Sequence, residues 1–216
     1  MVDSPSFRRT IGSYVPPRAY APGTRAALEK LGYRMVPAST PRQARDERCL
    51  PDLRIVDERH VHLIPPEEDR TPLVLLTATS RAGDKDPRIV GYAPRPATLE
   101  VLFPILQCAL ENTPRTVVRA STELPGSCVR ADQRWAGAVL SLSELGCLIR
   151  TSEPMASGLE FDLIFPLPLH PAGRMMSTRA RVIEQCGEGV AMAFEEMPNA
   201  ERQAVSEYVK GRLTGR

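Results

Sequence analysis

Near Asn112 the apolar residues change their rhythm, and that change restricts the chain to a fold with two unlike halves. Before it, TPLVLLTAT contains Leu73 to Leu76, an unbroken apolar run typical of a strand buried on both faces. Such a strand needs cover above and below, which parallel sheets obtain from crossover helices. ATLEVLFPILQCALEN then sets Leu99, Leu102, Phe103, Leu106 and Leu110 at helical spacing. After it come STELPGSCVR, WAGAVLSLS, GCLIRT, LEFDLIFPLP, MSTRARVIEQ and GVAMAFEEM, short alternating segments broken by Pro and Gly. That pattern is the mark of an all-β barrel or sandwich. A chain of 216 residues suits two small domains, each with its own core.

The remaining elements follow from local signals. RRTIGSYV reads as a first strand, TRAALEKLGY as a helix closed by Gly32, and YRMV as a second strand. PRQARDERC is a short helical candidate with Pro41 at its start, and PDLRIVDE a third strand carrying Leu53, Ile55 and Val56. The closing segment NAERQAVSEYVKGRL predicts a helix with Asn199 as N-cap and Ala204, Val205, Tyr208 and Val209 along one face.

Composition excludes several functions. A net charge of +2 gives no global pull toward nucleic acid or membrane, so any anion site must be local. Basic residues are almost all arginine, with only Lys30, Lys85 and Lys210 as lysines, so a single arginine carries little information. The five cysteines are scattered without a C-x-x-C pair, which suggests small buried thiols in a reducing cytoplasm rather than disulfides or zinc. No apolar run reaches the roughly 18 residues of a membrane span, and MVDSPSFRRT lacks a signal-peptide core, so a cytoplasmic location is expected. His60 and His62 form an H-x-H on a segment read as extended, with no third metal ligand in view. Neither a nucleophile and base constellation nor a Gly-rich phosphate loop is present, so binding is expected, not catalysis, with no cofactor.

PDLRIVDE, PLVLLTA and GYAPRP together resemble the receiver family of response regulators, over about residues 8–112. The resemblance implies a flavodoxin-like parallel sheet, with Asp57 at the phosphoacceptor position and Thr77 at the hydroxyl position. Arg95 stands where the family has lysine. Phosphoryl transfer to a carboxylate needs a divalent cation held by oxygen ligands, which receivers supply from an acidic pair ending the first strand. Here Tyr14 and Val15 occupy that place. Residues 1–112 are therefore expected to form a degenerate receiver, unphosphorylated at Asp57, used for packing, docking to an unidentified protein or homodimerisation. The bland reading of Asp57 is a solvated carboxylate at a strand end.

Residues 113–216 are similar to the PilZ family, small β-barrels many of which bind cyclic di-GMP. Ligand-binding members carry R-x-x-x-R before the first strand and [D/N]-x-S-x-x-G at the end of the second. Arg115 and Arg119, in RTVVR, fit the first; Ser141, Ser143 and Gly146, in SLSELG, fit the second except that Ser141 replaces the acid or amide. Arg130 and Arg134 form a second R-x-x-x-R, too close to SLSELG for the family spacing. A guanidinium fork can meet a phosphate or the N7 and O6 of guanine with two parallel hydrogen bonds. Ser143 can donate to a phosphate or ribose oxygen, and Gly146 permits close backbone approach. An acid or amide at 141 would accept from guanine N1 and N2; losing such a bond costs on the order of 1.5 to 3 kcal/mol, roughly ten- to a hundred-fold in affinity. Two readings stay open: a cyclic di-GMP sensor, and a ligand-independent interaction adaptor in which the two serines only satisfy turn groups.

Overall fold

The computed structural model describes residues 8–37, 50–64, 70–78, 86–168 and 175–215. Contacts divide the chain into two compact units, Met1–Thr116 and Val117–Arg216. In the first, β1 (Arg9–Tyr14), β2 (Tyr33–Pro37), β3 (Leu53–Asp57), β4 (Leu73–Thr77) and β5 (Ile89–Pro94) form one sheet in the order β2-β1-β3-β4-β5. Every neighbouring pair is parallel. This is the flavodoxin-like order of doubly wound sheets.

The unbroken apolar run of β4 and the apolar Leu53, Ile55 and Val56 of β3 explain the centre of that sheet. All residues of β3 and β4 are buried, because a central strand covered on both faces has no solvent side. Helix α1 (Thr24–Lys30) and helix α2 (Leu99–Leu110) pack against each other, and α2 buries Leu99, Leu102, Phe103 and Leu106 along one stripe. Gly32, at φ +92°, carries the chain out of α1 in the left-handed region. The helix expected over PRQARDERC lies outside the described residues, as does Cys49. His60 and His62 fall on a 3-10 helix, Glu58–Leu63, not on an extended segment, and both are exposed. The Asp57 carboxylate caps that turn, which bends the chain away from the strand direction.

The second unit is a closed antiparallel barrel, in the order β10-β11-β8-β7-β6-β9. Its strands are β6 (Ala120–Arg130), β7 (Gln133–Ser143), β8 (Gly146–Thr151), β9 (Glu160–Pro166), β10 (Met175–Cys186) and β11 (Gly189–Glu196). Closure leaves no open sheet edge. Strict alternation on β10 sends Met176, Thr178, Ala180 and Val182 inward, where Leu142, Ile149, Leu163 and Phe165 complete the core. Helix α3 (Asn199–Thr214) packs against β6 and β7 and buries Val205, Tyr208, Val209 and Leu213. Each such side chain contributes about 1.5–3 kcal/mol on burial. Asn199 is the first residue of α3 and does not cap it. Pro198 occupies the N-cap, its ring setting φ to −56° and offering no side-chain acceptor.

Candidate functional site

The SLSELG segment ends β7, turns at Glu144 and Leu145, and begins β8. Ser143 and Gly146 face each other across this hairpin. Ser143 is fully buried, and its hydroxyl donates to the Gly146 carbonyl at 3.0 Å. Its proton is therefore engaged within the turn, where a buried hydroxyl needs a partner. Gly146 is required by crowding from behind: a Cβ there would overlap the Met192 carbonyl of β11.

Ser141 lies differently. It pairs with Ser121 of β6 and Leu148 of β8, both outward, so its side chain joins the outer face of the barrel, where it is half-buried. Register shifts between Ser121 and Leu124 and between Val139 and Ser141 bulge both strands beside it. Thr122 supports the distortion by donating to the Val139 carbonyl at 2.5 Å. On the same outer face Glu123 and Arg150 form an ion pair at 3.8 Å, their side chains 80% and 58% exposed. Sequence reasoning missed both residues. Their alternation marks them as outward, but only strand register places them on either side of Ser141.

The two arginines of RTVVR belong to different units, and each is held within its own. Arg115 has an exposed side chain, while its amide donates to Gln107 Oε1 at 2.9 Å; Gln107 Nε2 donates in turn to the Tyr33 hydroxyl at 2.6 Å. This buried glutamine on α2 fixes the backbone at Arg115, a role that its place on an apolar helix face did not signal. Arg119 immediately precedes β6 and is half-buried. Burial pushes the Cys147 thiol up and nearby Cys128 adds to that, while the Arg119 charge opposes the rise. The arginine therefore lies near the start of β8. Arg130 and Arg134 sit at the far end of the β6–β7 hairpin, where Arg134 donates to Ser127 Oγ at 3.1 Å.

In the α/β unit, β3 and β4 end side by side at Asp57 and Thr77, both buried. Asp57 is not a solvated strand-end carboxylate: Oδ1 accepts from the Arg59 amide at 3.0 Å and Oδ2 from the Arg95 guanidinium at 2.5 Å. Arg95 also faces Glu58 at 3.5 Å. Tyr14 closes β1 with its ring in the core and the Arg54 guanidinium 5.5 Å from its centroid. Among the described residues no group of three His, Cys, Asp or Glu could hold a metal ion.

A family model described as PilZ domain matches residues 112–211. Residues 112–211 are a PilZ domain. The match to this PilZ domain spans Arg115, Arg119 and the whole SLSELG hairpin. Among solved structures, the chain is similar to the Bacillus subtilis inhibitor of motility MotI/DgrA, with 20% identity, TM-score 0.43, and coverage of 48% of this chain and 53% of that one. It thus spans about half the length of that protein. The PilZ domain of Escherichia coli YcgR, solved with cyclic di-GMP, matches at 15% identity and TM-score 0.37, over 47% of this chain and 92% of that one. PlzA of Borreliella burgdorferi, also solved with cyclic di-GMP, matches at 15% identity and TM-score 0.34, over 49% and 45%. No curated protein matches the chain. No helix among the described residues is long and apolar enough to cross a membrane.

Proposed function

We propose that the PilZ domain is a receptor for cyclic di-GMP, with Arg115 and Arg119 supplying guanidinium groups to the dianion and Ser141, Ser143 and Gly146 as the further ligand-binding residues. The observation that carries this reading is the joint position of the motifs: the arginine pair precedes the first barrel strand, and S-x-S-x-x-G ends the second. Ser141 contributes its outward hydroxyl. Ser143 and Gly146 shape the turn beneath it, since one is spent on the other's carbonyl. The α/β unit is read as a pseudo-receiver that serves as a regulatory or docking domain. Its Asp57 is neutralised by Arg95, and Tyr14 stands where an acidic pair would hold a cation.

Calorimetric titration of the full chain with cyclic di-GMP tests the reading. Heat of binding is expected in the parent chain and absent in Arg115→Ala/Arg119→Ala. The runner-up, a ligand-independent adaptor, is favoured by the internal bond of Ser143 and by the saturated carboxylate of Asp57. No heat in either protein decides for the adaptor.

A further inference from the structure

The outer face around Ser141 joins small residues and one apolar side chain to two long charged ones. Ser141 has Ser121 directly opposite on β6 and Leu148 on β8, and Ala138 lies on the same face of β7. On either flank stand Glu123 and Arg150, each two residues along its strand from a direct partner of Ser141. Diagonal neighbours in antiparallel strands have Cα atoms about 7–8 Å apart, within reach of a long side chain. Strands β6 and β8 are separated by β7, so the Glu123–Arg150 pair must cross about 9–10 Å of sheet to meet. Both bulges lie under this crossing, and bulges re-aim side chains.

Such an exposed pair holds its partners weakly, because solvent screens the attraction and both long side chains lose rotamer freedom in meeting. A ligand can therefore separate it at little cost. We infer that Glu123 supplies the carboxylate that Ser141 lacks, accepting from the N1 and N2 donors of a guanine laid on the Ser121, Ala138 and Ser141 floor. Arg150 holds Glu123 over that floor in the free protein and turns to a ligand oxygen when the base arrives. Guanine presents two adjacent donors that match a carboxylate's two oxygens, whereas the adenine edge offers an unprotonated N1, which a carboxylate repels. Glu123 thus determines base specificity. This inference rests on the cyclic di-GMP reading above.

Titrations of the full chain with cyclic di-GMP and with cyclic di-AMP separate the two claims. Glu123→Ala is expected to weaken cyclic di-GMP binding on the order of ten- to a hundred-fold, leaving cyclic di-AMP binding unchanged or stronger. Adding Ser141→Asp to that variant should return the lost affinity and selectivity by putting a carboxylate on the same floor. Circular dichroism and Trp135 fluorescence report whether each variant keeps its fold. If the parent binds cyclic di-GMP and Glu123→Ala binds both ligands as the parent does, the role of Glu123 is refuted and the receptor reading survives. If the parent binds no cyclic di-GMP, both fall together.

Discussion

Two carboxylate and guanidinium pairs, Asp57 with Arg95 and Glu123 with Arg150, use the same chemistry in opposite ways. The first sits at the carboxyl end of the parallel sheet, its side chains 11% and 22% exposed, with both carboxylate oxygens taken by protein donors. The second lies on the outer wall of the barrel at 3.8 Å, with neither partner buried. Burial sets the difference. A desolvated charge must be matched within the protein, which locks it; a hydrated one keeps water as an alternative and stays available. In the α/β unit the carboxylate is closed off by protein donors, and in the barrel the exposed pair stays open to solvent.

The strongest way to break this contrast is to remove one member of the buried pair. Arg95→Ala strands the Asp57 carboxylate and is expected to destabilise the α/β unit by about 3 kcal/mol. Urea unfolding followed by circular dichroism would show it, and adding Asp57→Asn should recover much of the loss by removing the orphaned charge. An unchanged midpoint in Arg95→Ala would mean that the pair is no lock.

Alkaline pH sharpens the comparison between the units themselves. Burial raises the Cys128 thiol from 9.0 to about 11 and Tyr20 in the α/β unit from 10.0 to about 12, with the Ser13 hydroxyl bond opposing the latter. A group held protonated in the fold contributes its full stability below its unfolded value and loses it as pH climbs through the folded one. The barrel should therefore weaken first, by about 1.4 kcal/mol at pH 10 from Cys128, where Tyr20 has lost only about 0.4 kcal/mol and most of its effect still lies above that pH. Cys147 adds in the same direction as Cys128. Trp135, the chain's single tryptophan, lies in the barrel and bonds Glu153 at 3.0 Å, so its fluorescence follows that unit's unfolding. A barrel transition in urea that stays put between about pH 8 and pH 10 would contradict this account.

The smallest effect belongs to the exposed pair. Glu123→Ala should change barrel stability by less than about 0.5 kcal/mol, in contrast to its expected effect on ligand. A larger loss in urea unfolding would make Glu123 a structural residue and erase the distinction between the two pairs.

Much of the barrel hairpin was legible in the chain, and its chemistry was not. Alternation in WAGAVLSLS and GCLIRT, with Gly146 between them, marks two strands and a turn. It assigns Val139, Ser141 and Ser143 to one side of β7, yet the bulge between Val139 and Ser141 leaves the valine inside and turns Ser141 to the outer face. One extra residue shifts the parity, and nothing in the local sequence announces it. Asn199 failed for a related reason: a good capping residue in isolation was displaced by the proline before it. Gln107 is polar on an apolar helix face, and only the fold brings Tyr33 and Arg115 to its two ends.

The sequence by itself determined that the first half would be a covered parallel sheet and the second a set of alternating strands, because apolar spacing is a property of neighbours along the chain. It also set the arginine pair ahead of the first barrel strand. Tertiary structure alone decided that Arg95 reaches Asp57 from 38 positions further along the chain, that the Ser143 hydroxyl is buried on the Gly146 carbonyl, and that Glu123 and Arg150 meet above β7. Those contacts depend on register between segments distant in the chain, and register is settled by the packing of the whole sheet.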